Sequence, residues 1–154
     1  MIEIIKIEST QAHLVYELFN QYRIFYKQQH DIDLAKKFID ARINKNESVI
    51  FVALNNNNNS KPVGFTQLYP NYSSVSAIKN WTLNDLYVDK DYRKQGVGEK
   101  LIKKAMEYAK NQHAKFVELS TAFDNYSAQS VYEKIGFRKQ EPDNEFYTYR
   151  IGLS

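Results

Sequence analysis

Apolar positions along the chain fall into two rhythms. Ile2 to Ile7 alternates with Glu3 and Lys6, which predicts a first strand. Ser9-Thr10 is a helix N-cap signal, and from Ala12 to Lys27 a helical stripe runs through Leu14, Val15, Leu18, Phe19, Tyr22 and Phe25. His30-Asp31-Ile32-Asp33 breaks the stripe. Asp33 can cap a second helix with Ala35, Phe38, Ile39 and Ile43 on its inner face, ended by Asn44 to Ser48. Val49 to Leu54 and Val63 to Tyr69 are short β-type runs. The loop between them, Asn55 to Asn59 followed by Ser60-Lys61-Pro62, makes a hairpin the natural reading. Pro70 to Ser74 interrupts the second run as a loop or bulge, and Ala77 to Val88 resumes as a strand. Gly98 to Gln112 is helical, with Leu101, Ile102, Ala105, Met106 and Ala109 inward. Phe116 to Ser120 predicts a strand, Asn125 to Ile135 a helix stopped by Gly136, and Phe137–Lys139 and Phe146–Ile151 two closing strands.

The order β, α, α, β, β, β, α, β, α, β, β predicts a mixed α/β fold in one continuous domain over residues 1–154, without repeats or a linker. The central meander implies antiparallel pairing. The strand–helix–strand segment from Leu83 to Ser120 implies one parallel crossover.

Composition narrows what this fold can do. The 154 residues suit one domain. With 43% hydrophobic and 25% charged residues, the chain is ordinary for a globular protein. There are no cysteines, which removes thiolate chemistry and Cys-based zinc sites. His13, His30 and His113 form no ligand-spaced pair, so no metal is expected. No run approaches the ~18 apolar residues of a membrane span, and Met1-Ile2-Glu3-Ile4 lacks the basic and apolar regions of a signal peptide. A cytoplasmic protein without a membrane partner is the expectation. The net charge is +3 with basic and acidic residues interleaved, which argues against a nucleic-acid surface.

The stretch with the clearest chemistry is Leu86 to Met106. Leu86-Tyr87-Val88 ends a strand, Asp89 to Tyr92 turns, and Arg93-Lys94-Gln95-Gly96-Val97-Gly98 leads into a helix. Glycines let a ligand approach the backbone closely. A helix start presents unpaired N–H groups and partial positive charge, and Arg93 and Lys94 add full charges, together a seat for a pyrophosphate. A P-loop is excluded because neither its spacing nor its Lys-Ser/Thr pair is present, and a dinucleotide fingerprint because the third glycine is missing. A loop that merely leads into a helix stands beside the ligand reading.

A second constellation is Asn125-x-x-Ala128-x-x-x-Tyr132-x-x-x-Gly136-Phe137. Asn125, Ala128 and Tyr132 share one helix face. Asn125 can bond a ligand amide or cap its own helix, Ala128 leaves room for a ligand chain, and Tyr132 puts a phenol at the end of the face. An amphipathic helix with a core tyrosine is the alternative.

The two motifs together, R-x-x-G-x-G and N-x-x-A-x-x-x-Y-x-x-x-G-F, resemble the acyl-CoA motifs of the GNAT superfamily of N-acetyltransferases, and the element order is similar across essentially the whole chain. Asn84-Asp85-Leu86-Tyr87-Val88 further resembles the branch of yeast histone/polyamine-type enzymes. The resemblance implies a mostly antiparallel sheet of about seven strands with a splayed parallel pair, flanked by about four helices. It implies acetyl-CoA as cosubstrate, no metal, and a homodimer.

It also implies direct attack of an amine on the thioester. Leu86, Tyr87, Val88, Arg93, Lys94, Gln95, Gly96, Val97, Gly98, Asn125, Ala128 and Tyr132 are the expected CoA contacts. The splayed strand would pair with pantetheine, and a backbone N–H near Leu86 or Tyr87 would polarise the carbonyl. Tyr132 is the expected general acid, a phenol that is protonated at neutral pH. Asp85 is a candidate base, or a structural acceptor. The acceptor is expected to be a primary amine of a small molecule such as an amino acid or polyamine. A protein lysine or N-terminus is the alternative, as is a CoA-binding module without turnover. Its site would be built from the helices between Ala12 and Ile43, the loop Tyr69 to Ser74, and Tyr147 and Tyr149, with Glu17, Asp31, Asp33 and Asp85 as charges able to attract a cation.

Overall fold

A computed structural model of the chain describes residues 1–153. They form two compact units, residues 1–120 and the residues from Thr121 onward.

In the first unit, β1 (Ile2–Lys6), β2 (Val49–Asn55), β3 (Lys61–Ser73), β4 (Ile78–Val88) and β5 (Val117–Glu118) lie side by side in that order in a single sheet. The first three pairings are antiparallel and β4–β5 is parallel. α1 (Tyr16–Phe25) and α2 (Ile32–Asn44) cover one face. Val15, Leu18, Phe19, Ala35 and Ile39 pack there on Ile50, Val52 and Phe65. α3 (Val97–Asn111) supplies Leu101, Ile102, Ala105 and Ala109 as buried residues, and its Tyr108 meets Phe51 and Trp81 edge-on at 5.8 and 5.6 Å. Phe51 and Val52 are neighbours on β2, so they leave opposite faces of the sheet. That explains why β2 is a continuous buried run rather than an alternating one.

Several boundaries differ from the sequence reading, each for a local reason. The first helix opens as a 3-10 turn over Ser9–Leu14. Glu8, not Ser9 or Thr10, is its cap, through a reciprocal pairing with Gln11. Asp31, not Asp33, caps α2, accepting from the Leu34 N–H at 3.0 Å. Pro70 does not interrupt β3, where it stands opposite Trp81. The β2 pairing of β3 ends at Val49–Leu68, so Pro70 lies where β3 has only β4 beside it, and its missing N–H removes no bond on the open side.

In the second unit α4 (Tyr126–Ile135) is the regular element among the described residues. The strands expected at Phe137–Lys139 and Phe146–Ile151 are not formed, so the sheet has five strands rather than about seven. Alternation marks faces but supplies no partner, and a strand exists only through its ladder. Asp143 instead accepts from the N–H groups of Glu145 and Phe146 in a turn, and Tyr147 and Tyr149 are exposed. Four α-helices and a mixed sheet leave the α/β class as expected.

Candidate active site

β4 changes character along its length. At Trp81 and Thr82 it is paired on both sides, to β3 and, in parallel, to Val117 and Glu118 of β5. From Leu83 to Val88 it keeps only β3 among the described residues. Leu86, Tyr87 and Val88 are half-buried there, opposite Thr66, Phe65 and Gly64. The element order implied the parallel crossover, and the short β4–β5 pairing is the splayed pair that the resemblance implied. A free edge of this kind offers alternating N–H and C=O groups to an extended ligand.

The register shifts between Gln67 and Leu68, so Gln67 faces Asp85 while Leu68 faces Leu83, and Asn84 is the extra residue of a bulge. Asp85 is therefore directed inward beside Gln67, and both side chains are buried. Gln67 Nε2 donates a short hydrogen bond to Asp85 Oδ2, and Asn84 Nδ2 donates to Oδ1 at 2.9 Å. Ser48 Oγ donates to Gln67 Oε1 at 2.7 Å. The Tyr22 hydroxyl lies 3.5 Å from the Asn84 carbonyl oxygen. Burial, and after it the Asp85 charge, push the Tyr22 phenol far above its ordinary range. The same two causes in the same order push Tyr69 up to about 12, against a smaller opposite effect of Arg42.

Past β4, Asp89 closes a tight turn through the Asp91 N–H, and the chain reaches the loop 93–98. Lys94 (φ 61°) and Gly96 (φ 82°) take left-handed backbone, a conformation that costs a non-glycine residue about 1–3 kcal/mol. Gly96 is the N-cap of α3 and places no side chain over the helix end. A Cβ built on it would meet no protein atom within 4 Å. The cap residue itself therefore makes no side-chain bond to the first-turn N–H groups of α3. Arg93 is braced rather than loose: Nε donates to the Val88 carbonyl at 2.9 Å, and the guanidinium lies 5.5 and 5.4 Å from the rings of Phe25 and Tyr87. Gln95 Nε2 donates back to the Asp91 carbonyl at 3.1 Å. Lys94 is exposed.

In the second unit Asn125 caps α4, its Oδ1 accepting from the Ala128 N–H at 3.2 Å. Of the two roles its position allowed, this is the one seen. Ala128 and Tyr132 are half-buried, and the Tyr132 ring meets Phe137 at 6.1 Å.

The first unit thus brings together Leu86, Tyr87, Val88 and the loop 93–98, with Asp85 on the neighbouring inward face. Of the acidic residues considered for attracting a cation, Asp31 is taken up as a helix cap and Glu17 accepts from Gln21 on the helix surface at 2.9 Å. Gln67, Ser48, Tyr22 and Tyr69 around Asp85 carry no motif. The available signal was Gln67 itself, an amide on the face of β3 that also presents Phe65.

Residues 12–137 match the model of the acetyltransferase (GNAT) family. The chain is 40% identical over 146 residues to YhfO of Bacillus subtilis (strain 168), described as an uncharacterized N-acetyltransferase, covering 95% of this chain and 94% of that protein. A crystal structure described as a "probable acetyltransferase" superposes with a TM-score of 0.86 at 38% identity, covering 99% of this chain and 98% of the other. The fold is also that of AAC(6')-Iy in complex with the bisubstrate analog CoA-S-monomethyl-acetylneamine, with a TM-score of 0.79 at 19% identity over 98% of this chain and 99% of that one. The chain belongs to the GNAT family of acetyltransferases and is an acyltransferase of that family.

Proposed function

We propose that the chain transfers the acetyl group of acetyl-CoA to a primary amine of a small molecule. The observation that carries the CoA assignment is the uncapped start of α3. Gly96 leaves the helix end open, and a side chain there would fill space that no protein atom occupies. The residues present fit a pyrophosphate. Backbone N–H groups of the loop 95–98 and the helix dipole suit an anion, and Lys94 and the braced Arg93 add charge. The free edge at Leu86–Val88 suits the amides of a pantetheine arm. The aminoglycoside enzyme of similar fold, held with a CoA-linked analog, supports the same reading of the scaffold.

When bound, acetyl-CoA supplies the activated acetyl group. The protein's own residues then divide the work. A backbone N–H near Leu86 or Tyr87 stabilises charge developing on the carbonyl oxygen. Asp85, directly or through water, receives the proton that the ammonium must lose to become the attacking amine. Tyr132 protonates the departing sulfur, and Asn125 and Ala128 border the ligand along the same helix. The small-molecule acceptor is supported by the buried Asp85 with the half-buried phenols Tyr22 and Tyr69 near it, a confined setting suited to one amine.

The test is thiol release from acetyl-CoA with a panel of small amines and lysine peptides, read by mass spectrometry. Acetylation of small amines and not of peptides is expected. Transfer to peptides alone would replace the acceptor assignment. No transfer, with CoA still bound, would leave a binding module.

A further inference from the structure

Asp85 is 3% exposed. A carboxylate so placed is costly unless its charge is met. Its hydrogen-bond partners are all neutral, the amides of Gln67 and Asn84 and the Tyr22 hydroxyl, and the ion pairs among the described residues do not include it. Arg42, which acts on nearby Tyr69, is bound to Glu47 at 3.0 Å and stacks on Phe38 at 4.4 Å. Arg93 is held by the Val88 carbonyl. Arg42 and Arg93 are thus engaged elsewhere.

The donors are nevertheless well ordered. Ser48 occupies the Gln67 carbonyl oxygen, so the amide can present only its NH2 to Asp85. An ionised carboxylate offers about four acceptor positions, of which the two amides and the Tyr22 hydroxyl use three. Tyr22, packed at 5.0 Å from Tyr26 and 6.5 Å from Tyr87, brings its hydroxyl to the carboxylate and supplies no charge.

We propose that Gln67 is a positioning residue. With Ser48 behind it, Gln67 holds Asp85 as an unneutralised carboxylate whose missing countercharge is the ammonium group of the acceptor. This rests on the reading of the chain as an amine acetyltransferase. It adds that the relay Ser48–Gln67–Asp85 selects the acceptor for the positive charge of its ammonium group.

The test is a titration of the full chain, followed by NMR, with butanediamine as the cationic probe and butanediol as its neutral counterpart. The wild type should bind the diamine and not the diol. Gln67→Leu should weaken the diamine at least about tenfold, and Ser48→Ala, which keeps Gln67 but releases its amide, about threefold, both with CoA affinity unchanged. A merely structural Gln67 would lower Tm without this selective loss. If Gln67→Leu fails to fold, Ser48→Ala carries the test alone. Equal binding of diamine and diol, no binding of the diamine by the wild type, or unchanged diamine affinity in the folded variants would overturn the proposal. Charge-selective binding without acetyl transfer to any small amine would instead defeat the proposed function and leave the carboxylate seat standing.

Discussion

The helices α3 and α4 begin in opposite ways. α3 starts at Gly96, with left-handed backbone and no side chain over its end. α4 starts at Asn125, whose carbonyl oxygen already bonds the Ala128 N–H. A side-chain cap satisfies one of the orphan donors of a helix start. Leaving the cap out forgoes that stabilisation and keeps the donors for something else. Both starts lie in motifs that resemble CoA-binding sequences, yet of the two only α3 begins without a side-chain cap bond. α4 is expected to act through side chains farther along, above all Tyr132. On the proposed function, one helix serves by its terminus and the other by its flank.

The substitution with the largest expected effect breaks the flank of α4. Tyr132→Phe keeps the ring and its contact with Phe137 but removes the proton. If Tyr132 protonates the leaving thiolate, kcat should fall by about 10²–10⁴ with acetyl-CoA binding nearly unchanged. The loss should appear equally in kcat/KM and should shrink with more acidic leaving thiols. A lower Tm with full turnover would make the tyrosine structural.

Next comes the terminus of α3. Gly96→Val puts a branched side chain at φ 82° into the open space over the helix end. CoA affinity measured by calorimetry should drop at least about tenfold, or ~1.4 kcal/mol. Part of the stability loss will be the backbone conformation itself, about 1–3 kcal/mol, so the affinity is compared in the folded protein.

Arg93→Ala should act less strongly, weakening CoA about three- to tenfold, or ~0.7–1.4 kcal/mol. It should weaken pantetheine without the nucleotide less. Equal weakening of both ligands would assign Arg93 to its observed structural contacts, the Val88 carbonyl and the Phe25 and Tyr87 rings.

The smallest effect on binding is expected at the capped end. Asn125→Ala should cost α4 about 0.5–2 kcal/mol through loss of the cap, read as a lower Tm, while CoA affinity stays within about twofold, a change under ~0.5 kcal/mol. A large loss of CoA affinity without a change in Tm would show that Asn125 serves the ligand and that the contrast between the two helices is wrong.

What was legible in the sequence follows the range of the interactions. The strand, loop and helix from Leu86 to Asn111 are organised by near neighbours, a glycine at a helix start and an apolar helical stripe, and they stand where their pattern puts them. The Asp85 surroundings are not local. Gln67 lies 18 residues away and meets Asp85 only because a bulge at Asn84 shifts the register by one. No feature of Trp81 to Val88 as a string announces that bulge. Pro70 misled in the other direction, since a breaker breaks a strand only where its N–H is needed. Tyr147, Tyr149 and Ile151 alternate like a strand but remain exposed and unladdered.

The most direct test of the contrast is amide hydrogen exchange, resolved by residue, with and without CoA. Exchange reports the opening or shielding of individual N–H groups. Saturating CoA should slow the amides of the loop 95–98 and of Leu86–Val88, while the Ala128 amide, already bonded to Asn125, keeps its rate. Unchanged exchange at the start of α3 with slowing confined to the start of α4 would contradict the account.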